Sequence, residues 1–131
     1  ALMQTQENEV LNKIESLVPA KQILLELLNR YQIEMLDSSN CLTLAIYEFF
    51  STLQRKGNEN LLYEQYLLSK KTWESLIAYG IKTKEFNEVN AAAIIDIIIF
   101  SYQGVRLYSL MFISPQIPEN ILYIIKNILL K

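Results

Sequence analysis

The chain has 131 residues, 51% of them hydrophobic and 20% charged, with three glycines and three prolines; this balance excludes a disordered tail and fits one compact domain of long, uninterrupted helices. Lysine and arginine number 12 against 14 acidic residues, and the cations are scattered rather than clustered, so the chain by itself is not expected to grip DNA phosphates. The absence of histidine and the single cysteine, Cys41, exclude Ser-His-Asp and Cys-His catalysis, histidine metal sites and an internal disulfide.

In chain order, Val10, Leu11, Ile14 and Leu17 recur at helical spacing before Pro19, and residues 1–18 read as a short connecting helix that enters the domain. From Ala20 the pattern strengthens. Leu24, Leu27, Leu28, Tyr31 and Met35 fall on one side and Gln22, Glu26 and Asn29 on another, which predicts a half-buried helix ending near Leu36. Asp37-Ser38-Ser39-Asn40 offers capping side chains to a third helix, built on Leu42, Ala45, Ile46, Phe49, Phe50 and Leu53. Arg55 and Lys56 before Gly57 mark its end, and Asn58 caps the next. Glu59 to Lys82 keeps Leu62, Tyr66, Trp73, Leu76, Ile77 and Gly80 in one stripe with no proline to interrupt it. Thr83 to Asn90 is polar apart from Phe86 and Val89, and Asn90 is the expected N-cap of the helix beyond.

The last third is the most apolar. Ala91 to Phe112 reads AAAIIDIIIFSYQGVRLYSLMF, and a second apolar helix, Ile117 to Leu130, follows Pro115 and Pro118. The first segment is long enough to cross a bilayer, but Asp96, Gln103 and Arg106 lie inside it, and each charge would cost about 2.5–3.5 kcal/mol at mid-membrane. No membrane partner is expected. Two neighbouring helices with so little polar face are best buried against the same two helices of a second copy, so residues 91–131 read as dimerisation helices. The expected contact face carries Ile97, Ser101, Gly104 and Tyr108, where small Ser101 and Gly104 admit a close backbone approach, together with Ile121, Ile124, Ile125 and Ile128 of the last helix. The whole chain then forms a single all-α domain, a bundle of about six helices, whose last two build a four-helix interface with a partner.

No phosphate-cradling glycine loop or paired aspartates occur, and no cofactor, metal or catalytic residue is expected. Recognition is the chemistry left. Tyr47, Phe50, Tyr66, Trp73, Ile77 and Phe100 could line a pocket, with Asp96 and Gln103, seven residues apart and so on one helix face, as its polar groups. Such a pocket suits a neutral or weakly cationic hydrophobic compound with Asp96 as counter-charge, and disfavours phosphate-rich ligands such as acyl-CoA. The competing reading is a helical interaction or scaffold domain with a solid core. Acidic Glu7 and Glu9 stand where a signal peptide would be basic and then apolar, so a cytoplasmic location is expected.

Thr72 to Leu110, TWESLIAYGIKTKEFNEVNAAAIIDIIIFSYQGVRLYSL, resembles the C-terminal ligand-binding and dimerisation domain of the tetracycline repressor-like (TetR) family of bacterial transcription regulators. The shared features are a long helix ending in a glycine-containing turn and Glu-Phe, here Gly80 and Glu85-Phe86, then an alanine-rich helix with a mid-helix glycine, here Gly104. Lys84 stands where the family commonly has a glycine. The resemblance implies a homodimer whose cavity takes a small hydrophobic effector. It further implies ligand-responsive repression through an N-terminal helix-turn-helix module that this chain does not contain, so operator DNA is a partner only through that module.

Overall fold

A computed structural model describes residues 2–37, 59–108, 112 and 114–131. The fold is all-α, and the described residues form helices α1 (Leu2–Glu15), α2 (Ala20–Met35), α3 (Glu59–Lys82), α4 (Ala91–Tyr108) and α5 (Gln116–Leu129). The expected helix over Leu42 to Leu53, with Tyr47 and Phe50, and the caps Gly57 and Asn58 lie outside the described residues.

The helix ends follow from local chemistry. At the end of α1, Val18 donates its N–H to the Lys13 carbonyl and Leu17 to that of Ile14, both 3.0 Å; this is a Schellman cap with Leu17 in the left-handed region at φ 59°. The end of α3 repeats it: Glu85 donates to the Gly80 carbonyl and Lys84 to that of Ile81, with Lys84 at φ 65°. The lysine thus adopts the conformation that glycine favours, and the turn before Glu85-Phe86 is kept without one. Asn90 caps α4 as expected, its side-chain oxygen accepting the Ala93 N–H at 3.2 Å. Helix α4 is described as far as Tyr108; residues 109–111 of the expected run to Phe112 lie outside the described residues, and Phe112 donates its N–H to the Tyr108 carbonyl. In α5, Pro118 falls in the first turn, where no intrahelical N–H is required.

One core joins all five helices: Val10 from α1, Ile23, Leu24, Leu27 and Leu28 from α2, Trp73, Leu76 and Ile77 from α3, Ile94, Ile95, Ile98 and Ile99 from α4, and Leu122, Ile125 and Leu129 from α5. Phe86, in the α3–α4 connection, is buried with them. Its ring occupies the space beside Gly80, where a Cβ would lie 2.2 Å from Phe86 Cδ2. Glu85 reaches across to the start of α2. Pro19 offers no side-chain cap there, and the Glu85 carboxylate instead accepts the backbone N–H groups of Ala20 at 2.8 Å and Lys21 at 3.3 Å. The last residues close the same end: Phe86 pairs with Leu130 in an isolated antiparallel bridge, Asn87 donates its N–H to the Leu129 carbonyl at 2.7 Å, and its side-chain amide donates to the carbonyls of Ile128 and Leu130. Surface pairs Lys13–Glu26 and Arg30–Glu9 link α1 to α2.

The outward faces of α4 and α5 remain apolar. On α4, Ile97, Phe100 and Tyr108 are exposed, and on α5 so are Ile117, Tyr123, Ile124 and Ile128. Residues 97, 101, 104 and 108 of α4 and 117, 121, 124 and 128 of α5 have the same spacing, a stripe along each helix. Ile125 departs from the expected interface set. It is 2% exposed, against 54% for Ile124, because a step of one residue turns it onto the inward row of Leu122 and Leu129. By length and composition α4 is also long and apolar enough to cross a membrane.

Candidate functional site

Four helices leave a cavity of about 250 Å³ between them. Helix α1 contributes Glu7 and Val10; α2 contributes Leu27, Tyr31 and Glu34; α3 contributes Leu68, Ser69, Thr72 and Trp73; α4 contributes Ile99, Tyr102, Gln103 and Arg106. The positions are set by helical spacing. Glu7 and Val10, Tyr31 and Glu34, and Ile99, Tyr102 and Arg106 are each three or four residues apart, so each helix turns one stripe inward with polar groups on it.

The aromatic wall is fixed by a chain of contacts. The Trp73 indole N–H donates to the Tyr31 hydroxyl at 3.1 Å, and the two rings meet edge to face with centroids 5.9 Å apart. The Tyr31 and Tyr102 rings lie 4.5 Å apart. The Tyr102 hydroxyl donates to the Glu34 carboxylate and accepts from Arg106 Nη1 at 3.0 Å, while the guanidinium also rests over the Tyr102 ring. Burial pushes the Tyr31 phenol up from its ordinary value, partly offset by the Trp73 N–H. Tyr102 is raised as well, by burial first and then by the Glu34 carboxylate that takes its proton's hydrogen bond. Both phenols therefore stay protonated near neutral pH, and the Tyr102 proton is the one donated to Glu34.

Glu7 differs from its neighbours. Its side chain is 6% exposed, it lines the cavity, and among the described residues no group hydrogen-bonds its carboxylate.

Of the residues expected in a pocket, Trp73 and Gln103 line the cavity. Ile77 is a core residue behind it. Asp96 shares a face of α4 with Gln103 but sits about two turns away, and its carboxylate accepts the Tyr66 hydroxyl at 2.5 Å. Tyr66 packs against Phe100, whose ring is exposed, and against Tyr63. Asp96, Tyr66 and Phe100 thus form an outer cluster rather than a cavity wall, and the carboxylates that line the cavity are those of Glu7 and Glu34. Tyr47 and Phe50 lie outside the described residues. Sequence reasoning missed Glu7, Glu34 and Arg106 as lining groups. The available signal was a charge on an apolar stripe: Glu7 is in register with Val10 and Ile14, and Glu34 with Leu27 and Tyr31.

A second, more open groove of about 360 Å³ runs between the end of α2 and the outer side of α4 and α5, lined by Met35, Leu36, Ser101, Gly104, Val105, Tyr108, Phe112, Ser114, Ile117, Pro118 and Ile121. It holds four of the residues expected at a dimer interface: Ser101, Gly104, Tyr108 and Ile121. A Cβ added to Gly104 would meet nothing within 4 Å among the described residues. No group of three or more His, Cys, Asp or Glu side chains among the described residues could hold a metal ion.

The chain is a helical domain with a polar-lined cavity inside and an apolar stripe on its last two helices. The comparison of sequences gives its class: residues 23–116 match the model of the tetracyclin repressor-like, C-terminal domain family. The chain belongs to that family, a TetR-like regulator's ligand-binding and dimerisation domain. No curated protein and no solved structure gives a significant match.

Proposed function

We propose that this domain senses a small hydrophobic effector in the α1–α4 cavity and reports it to a DNA-reading module joined to α1, the whole regulator acting as a cytoplasmic homodimeric repressor rather than as an enzyme. The observation that carries the reading is that α1 forms one wall of the cavity. An effector that touches Glu7 or Val10 favours one placement of α1 over another, and an operator with two half-sites accepts only the compatible spacing of two such modules.

The dimer would use the stripe Ile97, Ser101, Gly104 and Tyr108 of α4 with Ile121, Ile124 and Ile128 of α5. The support is exposure: these helices keep large apolar groups in water, which a second copy of the same surface would cover. Sedimentation of the chain and of Gly104→Leu tests it. A Cβ at Gly104 has room among the described residues, so the leucine should weaken association where a partner backbone approaches, by about 1–3 kcal/mol, while an unchanged helical content of the variant checks that the protomer itself is intact. A monomeric wild type, or a variant that associates as tightly as the wild type, would remove this interface.

A further inference from the structure

Resting on the reading of the cavity as an effector site, we propose that the effector is a small hydrophobic monocation, a protonated amine, whose ammonium group binds the Glu7 carboxylate. Glu7 is more than nine-tenths buried and faces the cavity without a hydrogen-bond partner among the described residues. Its oxygens are not fully enclosed, so they stay open to the cavity, where a ligand can reach them. A ligand that supplies hydrogen-bond donors and a positive charge satisfies the carboxylate.

The charges of the lining agree. Among the described residues it carries two carboxylates, Glu7 and Glu34, and one guanidinium, Arg106. Glu34 and Arg106 already meet on the Tyr102 hydroxyl, which leaves one negative charge at Glu7. The walls Tyr31, Trp73 and Tyr102 present ring surfaces that suit an aromatic or aliphatic body and a nearby cation. A volume of about 250 Å³ is at the lower limit of drug-sized pockets, about 300–1,000 Å³, so the amine is small. Helix α1 carries Glu7, so the group that recognises the charge belongs to the element that would report it.

Phenethylamine and its neutral isostere 2-phenylethanol make the test. Trp73 is the only tryptophan in the chain, so quenching of its fluorescence reads binding at the cavity wall. The wild type should bind the amine about tenfold or more tighter than the alcohol, as a charge-assisted hydrogen bond implies. Glu7→Gln should remove the preference, whereas Glu34→Gln, whose carboxylate is engaged by Tyr102, should keep it. Without ligand, Glu7→Gln should melt within a few degrees of the wild type, since the carboxylate engages no donor among the described residues and its oxygens stay open to the cavity. Equal binding of amine and alcohol, or a preference that survives Glu7→Gln or disappears in Glu34→Gln, overturns the assignment while leaving the effector cavity standing. If neither these probes nor neutral indole or toluene alters Trp73 emission up to millimolar concentration, the cavity reading fails with it.

Discussion

Two buried or half-buried glutamates at separate places in the bundle show opposite solutions to one problem. Glu85 accepts the Thr83 hydroxyl at 2.7 Å and the N–H groups of Ala20 and Lys21, and through them it fastens the α3–α4 turn to the start of α2. Glu7 is enclosed as thoroughly as a core residue yet accepts nothing among the described residues. The first region converts its polar groups into fixed geometry; the second leaves room and a carboxylate open to it. A cavity and a polar side chain on an inward stripe add nothing to stability, so the contrast is the one expected between a scaffold and the proposed effector site.

The contrast can be broken most severely at the fastened end. Gly80→Ala would place a methyl group 2.2 Å from the Phe86 ring, which is itself buried in the core. Overpacking of this kind costs about 1–3 kcal/mol, which a chemical-denaturation midpoint measures directly. Phe86 would have to leave its seat and carry Glu85 away from Ala20, so a variant with wild-type stability would show that the turn is not held as described.

A smaller effect is expected at Glu85 itself. Burial raises its carboxyl pKa, but the Thr83 hydroxyl and the Ala20 and Lys21 amides together outweigh that and hold it below the ordinary carboxylate value. A carboxylate with a depressed folded pKa contributes stability above its unfolded pKa and loses it as pH falls through the folded one. Glu85→Gln should therefore cost about 0.5–2 kcal/mol near neutral pH, the range for a lost helix cap. The gap between wild type and variant should close as the pH falls below about 4. A gap of constant size across that range would mean that charge plays no part in the cap.

The fastened end was legible in the sequence, while the site was legible only in part, and the difference is physical. The helix over Glu59–Lys82, the apolar helix from Ala91 and its Asn90 cap are set by neighbours within a few residues, where spacing and capping chemistry act, while the Gly80, Glu85-Phe86 turn was legible through the family resemblance. The cavity depends on which stripes of α1, α2, α3 and α4 meet and at what height. Asp96 and Gln103 do share a face, as their spacing requires, yet two turns of rise put one against Tyr66 and the other in the cavity. Ile125 shows the same boundary from the other side: an apolar helix offers several rows that could be outermost, and the inward row is chosen by the partners of Leu122 and Leu129. Glu7 was visible as an acid on an apolar stripe, but a stripe gives no measure of enclosure.

The least perturbing way to sharpen the comparison is to relax the fastened end without removing a contact. Lys84 and Leu17 occupy equivalent places in two Schellman caps, both with positive φ, where an L side chain costs about 1–2 kcal/mol relative to the right-handed region. Glycine removes that strain but has more freedom to lose from the unfolded chain, about 0.4–1 kcal/mol. Lys84→Gly and Leu17→Gly should each raise stability by up to about 1 kcal/mol, a shift of a few degrees in Tm at fixed protein concentration. Since the Lys84 side chain is exposed and the cap bonds are all backbone, amine binding at Glu7 should be unaltered in the Lys84 variant. The Leu17 variant acts on the end of α1, the helix that carries Glu7. If tightening that cap alters the affinity for phenethylamine while Lys84→Gly does not, the cavity and α1 are coupled, and equal behaviour of the two variants would mean that α1 is an inert wall.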